Sequence, residues 1–161
     1  MNAILRFEPS FYQRDRARLL AGIRQTHAME QAPDNIPKQW QQFLNFKSGL
    51  NGVVLDNDEV TYGVICAGND LGFEYMCAAE VSSFDDVPAN ARLKLQDQHY
   101  AVFVYSGHIS GIKKVWQSVW QWVDSSNYQV AEAPCFEKYD WRFNSETGEG
   151  GFEIWVPLTS F

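Results

Sequence analysis

Two nine-residue segments of this chain share one pattern, and that repetition limits the fold more than any other feature. Lys38–Phe46 reads KQWQQFLNF and Lys114–Trp122 reads KVWQSVWQW. At an offset of 76, Lys, Trp and Gln coincide at 38/114, 40/116 and 41/117, and apolar residues coincide at 43/119, 44/120 and 46/122. The triplet Gly72-Phe73-Glu74 recurs as Gly151-Phe152-Glu153 at an offset of 79. Two matches in the same order at nearly the same spacing indicate a duplicated unit of about 75–80 residues. A chain of 161 residues then holds two half-domains. Neither half is large enough to bury its own faces, so each must cover the other.

Each copy carries the same local signals. In the second, Ile112, Val115, Trp116, Val119, Trp120 and Val123 form an apolar stripe of helical period. Ser110-Gly111 precedes the stripe and Ser125-Ser126-Asn127 ends it. In the first, Ile36, Trp40, Phe43 and Leu44 keep the stripe, with Pro33-Asp34-Asn35 as a start, Pro37 in the first turn and Gly49 as a stop. Strand signals flank both helices. They are Arg18–Met29, Val60–Ala67 and Phe73–Val81 in the first copy, and Tyr100–Tyr105, Cys135–Trp141 and Phe152–Leu158 in the second. Gly68–Gly72 and Asn144–Gly151 supply the hairpin turns. The expected fold is α+β: a tandem β-α-β-β repeat with a pseudo-twofold, its antiparallel sheet carrying two helices and a central ligand groove. Residues 1–17 form an N-terminal extension, 18–86 the first repeat and 91–158 the second, with Val87-Pro88-Ala89-Asn90 as the hinge. The seam between such halves is where pockets form.

Composition removes several classes of function. The net charge of −7 lacks the basic footprint that nucleic-acid docking requires. No apolar run approaches the ~20 residues of a membrane span, and the start shows no secretory signal. Cys66, Cys77 and Cys135 are odd in number and lack CxxC spacing, which argues against a disulfide framework or zinc site and for a reducing cytoplasm. His27, His99 and His108 are scattered, so no metal ligand set is expected. Asp56-Asn57-Asp58-Glu59 lacks the glycine and closing glutamate of a calcium loop and reads as a solvated turn. Gly148-Glu149-Gly150-Gly151 precedes a strand, the wrong context for phosphate binding. No cofactor and no catalytic constellation is indicated. What needs explaining is an aromatic content of 15% in an acidic chain.

The order of several segments resembles the effector-binding domain of AraC-type and MerR-type regulators, the GyrI-like domain, and among its forms the stand-alone integron cassette proteins. The segments are Ile36–Phe43, Tyr62-Gly63-Val64 and Gly72–Tyr75 in the first copy. In the second they are Tyr100–Phe103, Gly107 with its helix, Cys135–Tyr139 and Glu153–Leu158. The resemblance covers about residues 18–158. It implies a groove for hydrophobic, often cationic, compounds, faced by a carboxylate on the penultimate strand, here Glu137. It also implies an aromatic from the first helix, here Trp40, and it marks Gly150-Gly151 as a place where some relatives carry an aromatic wall.

Read from the residues alone, a Glu in a short strand points to water more often than into a site. Cys135 and Tyr139 share its face by the strand period, and neither suits a solvated stripe. Trp116 and Trp120 lie on an apolar stripe and are expected to pack in the core, with Trp116 carried also as a groove candidate. Trp40 belongs to a stripe interrupted by Gln39 and Lys47, as a cleft wall would be. Tyr62 and Tyr75 are equally placed to line the groove or to pack.

The expected activity is binding of a hydrophobic, cationic small molecule, in sensing through a separate regulatory protein or in sequestration, with no membrane partner. Two alternatives stand beside it. One is hydrolysis of a reactive ligand, with Glu137 as general base and Glu74 or Glu153 assisting, although the neighbours Phe73 and Phe152 imply that this pair faces away. The other is a protein-binding inhibitor.

Overall fold

The computed structural model describes residues 8–50, 60–68 and 71–159. The expected turn at Asp56–Glu59, and Asn69-Asp70 of the first hairpin, lie outside the described residues. The elements in chain order are β1 (Phe11–Asp15), β2 (Arg18–Ala28), α1 (Ala32–Ser48), β3 (Thr61–Gly68), β4 (Gly72–Val81), β5 (Arg92–Leu95), β6 (Gln98–Tyr105), α2 (Ile112–Ser125), β7 (Cys135–Tyr139) and β8 (Phe152–Leu158).

All eight strands join one antiparallel sheet, ordered β1-β6-β8-β7-β3-β4-β2-β5. The inner six form two mirrored triplets, β6-β8-β7 and β3-β4-β2, as the repeat requires. They meet where β3 pairs with β7, Gly63 opposite Glu137. The outermost strands, β1 and β5, were not among the expected elements. Trp141 lies beyond the end of β7 and is 74% exposed, so that strand is shorter than its sequence implied.

Chain connectivity forces the sheet to curl. β1 and β2 stand six strand spacings apart in the order, which in a flat sheet would be roughly 29 Å. Only Arg16 and Ala17 link them, a span of at most about 11 Å. Gln96-Asp97 connects β5 to β6 under the same constraint. The sheet therefore bends into a half-barrel. The face away from the helices buries itself, bringing Leu20, Tyr62, Met76, Tyr100, Phe136 and Trp155 into one core. Ion pairs fasten the ends: Arg18 holds Asp15 at 2.7 Å and Glu80 at 2.7 Å, Arg16 reaches Glu80 at 2.8 Å, and Arg14 meets Asp97 at 3.1 Å.

The other face carries both helices. Phe43 of α1 packs on Tyr75, Cys77 and Ala79, while Val115 and Val119 of α2 pack on Phe103, Tyr139 and Ile154. α1 begins at Ala32, ahead of its expected start, so Pro37 falls inside the helix. A proline there has no N–H to offer the carbonyl four residues back, a local cost that packing outweighs. The backbone of α1 lies close against β2 and β4, whereas α2 approaches no strand as closely and rests on large side chains. Among the described residues no helix is long and apolar enough to cross a membrane.

Candidate functional site

Glu137 sits at the centre of the helix face, on β7 where the two repeats meet. It is 4% exposed. Its Oε1 accepts hydrogen bonds from the hydroxyls of Tyr75 (2.6 Å) and Tyr139 (2.8 Å), and its Oε2 accepts one from the indole Nε1–H of Trp116 (2.8 Å). Strand periodicity places Cys135, Glu137 and Tyr139 on one face, β4 delivers Tyr75 from across β3, and α2 lowers Trp116 from above. Trp40 of α1 closes the other side, edge-on to Tyr139 at 5.6 Å and to Tyr75 at 6.3 Å. The seam is thus closed over the carboxylate by aromatic side chains.

Burial raises the Glu137 carboxyl above its ordinary value, and the three donors offset part of that rise. The hydroxyls of Tyr75 and Tyr139 are pushed well up by burial and by the neighbouring carboxylate, so both remain donors. Burial likewise pushes the Cys135 thiol up to about 12 and raises Cys77. Thiols held protonated in this way are poor nucleophiles. No group of three or more His, Cys, Asp or Glu able to hold a metal occurs among the described residues.

The structure therefore brings together Glu137, Trp40, Tyr75, Tyr139 and Trp116. It does not bring Tyr62 with them. Tyr62 lies opposite Lys138 in the ladder, points away from the helices and packs on Phe136 in the half-barrel interior. The expectation that Trp116 and Trp120 serve the core holds in part for Trp116, which packs against the core of the second repeat, and needs correction for Trp120. Trp116 bonds the carboxylate, and Trp120, 40% exposed, stacks on it at the rim. By the repeat Trp40 is equivalent to Trp116 and Leu44 to Trp120; the first pair flanks the carboxylate cluster, and Leu44, like Trp120, is exposed. Glu74 and Glu153 face away as their neighbours implied, paired with Arg24 and Arg142 at 3.1 and 3.0 Å. Gly151 has φ 93° and its backbone lies against the carbonyl of Tyr105, leaving no room for an aromatic wall.

Gln39 does not line a cleft. It is fully buried, and its amide N–H groups donate to the carbonyls of Ile23 and Tyr75, both at 2.8 Å. That orientation leaves its Oε1 to accept from His27 Nε2–H at 2.6 Å. The pair pins α1 to β2 and β4 next to Trp40. Sequence reasoning took Gln39 as an interruption of the stripe and did not connect it to His27, 12 residues earlier. An open depression of about 370 Å³, lined by Ile23, Arg24, Phe46, Pro88, Asn90 and Ala91, does not include Glu137 or the aromatic residues around it.

In this two-repeat half-barrel, one buried carboxylate is ringed by aromatic side chains where the repeats meet. The chain belongs to the GyrI-like small molecule binding domain family, whose description matches residues 8–159. Solved structures share the fold. SAV2435 bound to tetraphenylphosphonium superposes with a TM-score of 0.74 at 21% identity, over 92% of this chain and 93% of that one. The Vibrio cholerae integron cassette protein VCH_CASS2 gives 0.64 at 15% identity, over 92% and 94%. The EcmrR C-terminal domain gives 0.67 at 14%, over 94% and 97%. At these identities the likeness is one of fold. Among curated proteins, none matches the chain.

Proposed function

We propose that this chain binds hydrophobic organic cations at the seam, with Glu137 as the counter-charge and Trp40, Trp116, Tyr75 and Tyr139 as walls. The observation that carries this reading is a contrast between two buried carboxylates. Glu80 is 5% exposed and engages two guanidinium groups. Glu137 is buried as deeply and has no basic partner among the described residues. A carboxylate removed from water and left without a cation is costly unless something supplies the positive charge. Ring faces around it add ~0.5–2 kcal/mol per cation–π contact. The tetraphenylphosphonium held by SAV2435, a structural neighbour, is a ligand of this class. For a cation to contact Oε2 directly, the Trp116 indole N–H that now bonds this oxygen has to move off it.

The chemistry serves sensing through a separate regulatory protein or sequestration equally. With a net charge of −7, no direct contact with nucleic acid is invoked. Free Cys66, Cys77 and Cys135 suit a reducing compartment such as the cytoplasm.

Tryptophan-quenching titration with cationic, neutral and anionic aromatics, on wild type and Glu137→Gln, tests the proposal. Saturable binding of tetraphenylphosphonium is expected in the wild type, weakened at least tenfold in the variant, as for loss of a buried charge interaction of ~1.4 kcal/mol or more. Cation affinity equal in the two proteins would remove Glu137 from the role.

A further inference from the structure

Gly63 lies in the middle of β3, buried, between Glu137 on one neighbouring strand and Cys77 on the other. Its backbone is ordinary strand, so no special conformation calls for glycine there. Glycine inside a strand often marks a place where another group passes close to the backbone. That is the case here. An ideal Cβ at Gly63 would stand 1.9 Å from the Tyr75 hydroxyl, 2.6 Å from its Cζ and 2.7 Å from Glu137 Oε1. The space a side chain would fill is the space in which the phenol and the carboxylate meet.

Resting on the cation-binding reading above, we propose that Gly63 sets the selectivity of the site. Its missing side chain lets the Tyr75 hydroxyl reach Glu137 across β3, and any larger residue forces the two apart. Gly63 is a positioning residue. It acts through Tyr75, which donates one of the three hydrogen bonds to the carboxylate. The groups facing Glu137 are Tyr75 and Cys77 from β4, Cys135 and Tyr139 from β7, and Trp116 from α2. None is a cation, so each lost donor raises the carboxyl further and favours its neutral form. A site with a neutral acid discriminates poorly between a cation and an uncharged ligand of the same shape.

Carbon-13 NMR of the glutamate carboxyls follows the ionisation of Glu137 in the whole protein, with Glu137→Gln identifying its resonance. In Gly63→Ala the midpoint is expected to rise by about one unit. Tyr75→Phe should move it the same way, and combining the two should add nothing to Tyr75→Phe alone. Tetraphenylphosphonium should bind Gly63→Ala roughly tenfold more weakly, while neutral triphenylphosphine oxide should bind within about twofold of wild type. An unchanged midpoint, or additive effects of the two substitutions, overturns the assignment whether or not the cation binds. Equal cation affinity in wild type and Glu137→Gln overturns the cation-binding reading and, with it, the selectivity role. If Gly63→Ala does not fold, Gly63→Ala combined with Tyr75→Leu must fold, because the phenol at 1.9 Å is gone and the remaining neighbour, Glu137 Oε1 at 2.7 Å, is the far end of a flexible side chain that can turn aside. Failure of both variants to fold overturns the proposal.

Discussion

Glu137 differs from an exposed carboxylate in the direction its ionisation pulls on folding. Its carboxyl titrates above the ordinary 4.5 in the folded protein because burial disfavours the charge. The stabilising contribution of the protonated form is therefore complete below 4.5 and is lost as pH rises through the raised folded value. Wild type should lose stability relative to Glu137→Gln over that window, as read by urea unfolding at a series of pH values without ligand. A difference that stays flat across the window would contradict the burial argument. If Glu137 is the counter-charge as proposed, cation affinity should run the opposite way, strengthening as pH rises through the same value, which titration of tetraphenylphosphonium across that window would check. Part of this was legible in the residues: the strand period placed Tyr139 beside Glu137, whereas Glu137 itself stood out only through the family resemblance, and the break at Gln39 was a buried polar pin instead of a cleft wall. Tyr62 was not placeable, for a definable reason. β3 carries a bulge at Cys66, where the ladder with β4 slips by one residue between Ile65 and Ala67. Without that slip, Tyr62 would share the face of Tyr75, because a one-residue change of register exchanges the faces of a strand.

At the scale of elements, the two helices and the inner strands followed from periodicity, while β1 and β5 did not. β1 is almost wholly exposed and shows no alternation, and β5 has only four residues. Both exist because the sheet curls, which is a property of strand order and invisible in a local window. Their place is secured by charge. Glu80 of β4 receives Arg16 and Arg18 from the β1–β2 link and the start of β2, and Arg18 also holds Asp15 of β1. Removing Glu80 would leave the Arg18 guanidinium, 14% exposed, short of one partner. Glu80→Ala should cost on the order of 3 kcal/mol, measured by urea denaturation. A loss below about 0.5 kcal/mol would reduce the network to the standing of surface pairs.

In the whole molecule, the β3–β7 ladder merges both repeats into one sheet, and the two short links draw its ends together. Unfolding should accordingly be a single transition. Tryptophan fluorescence, weighted to the second repeat by Trp116, Trp120, Trp122 and Trp155, should coincide with far-ultraviolet circular dichroism across a urea series. Separate midpoints would mean that the halves melt independently. The doubling of the chain was readable because its helices kept the Lys-x-Trp-Gln core of the repeat. What the repeat could not convey is that the two copies seat their helices differently. α1 lies directly on its strands and is pinned there by Gln39, whereas α2 is propped on bulky rings. One wall of the seam is therefore tied to the sheet by hydrogen bonds to its backbone, and the other is held by side-chain packing and the single Trp116 bond to Glu137.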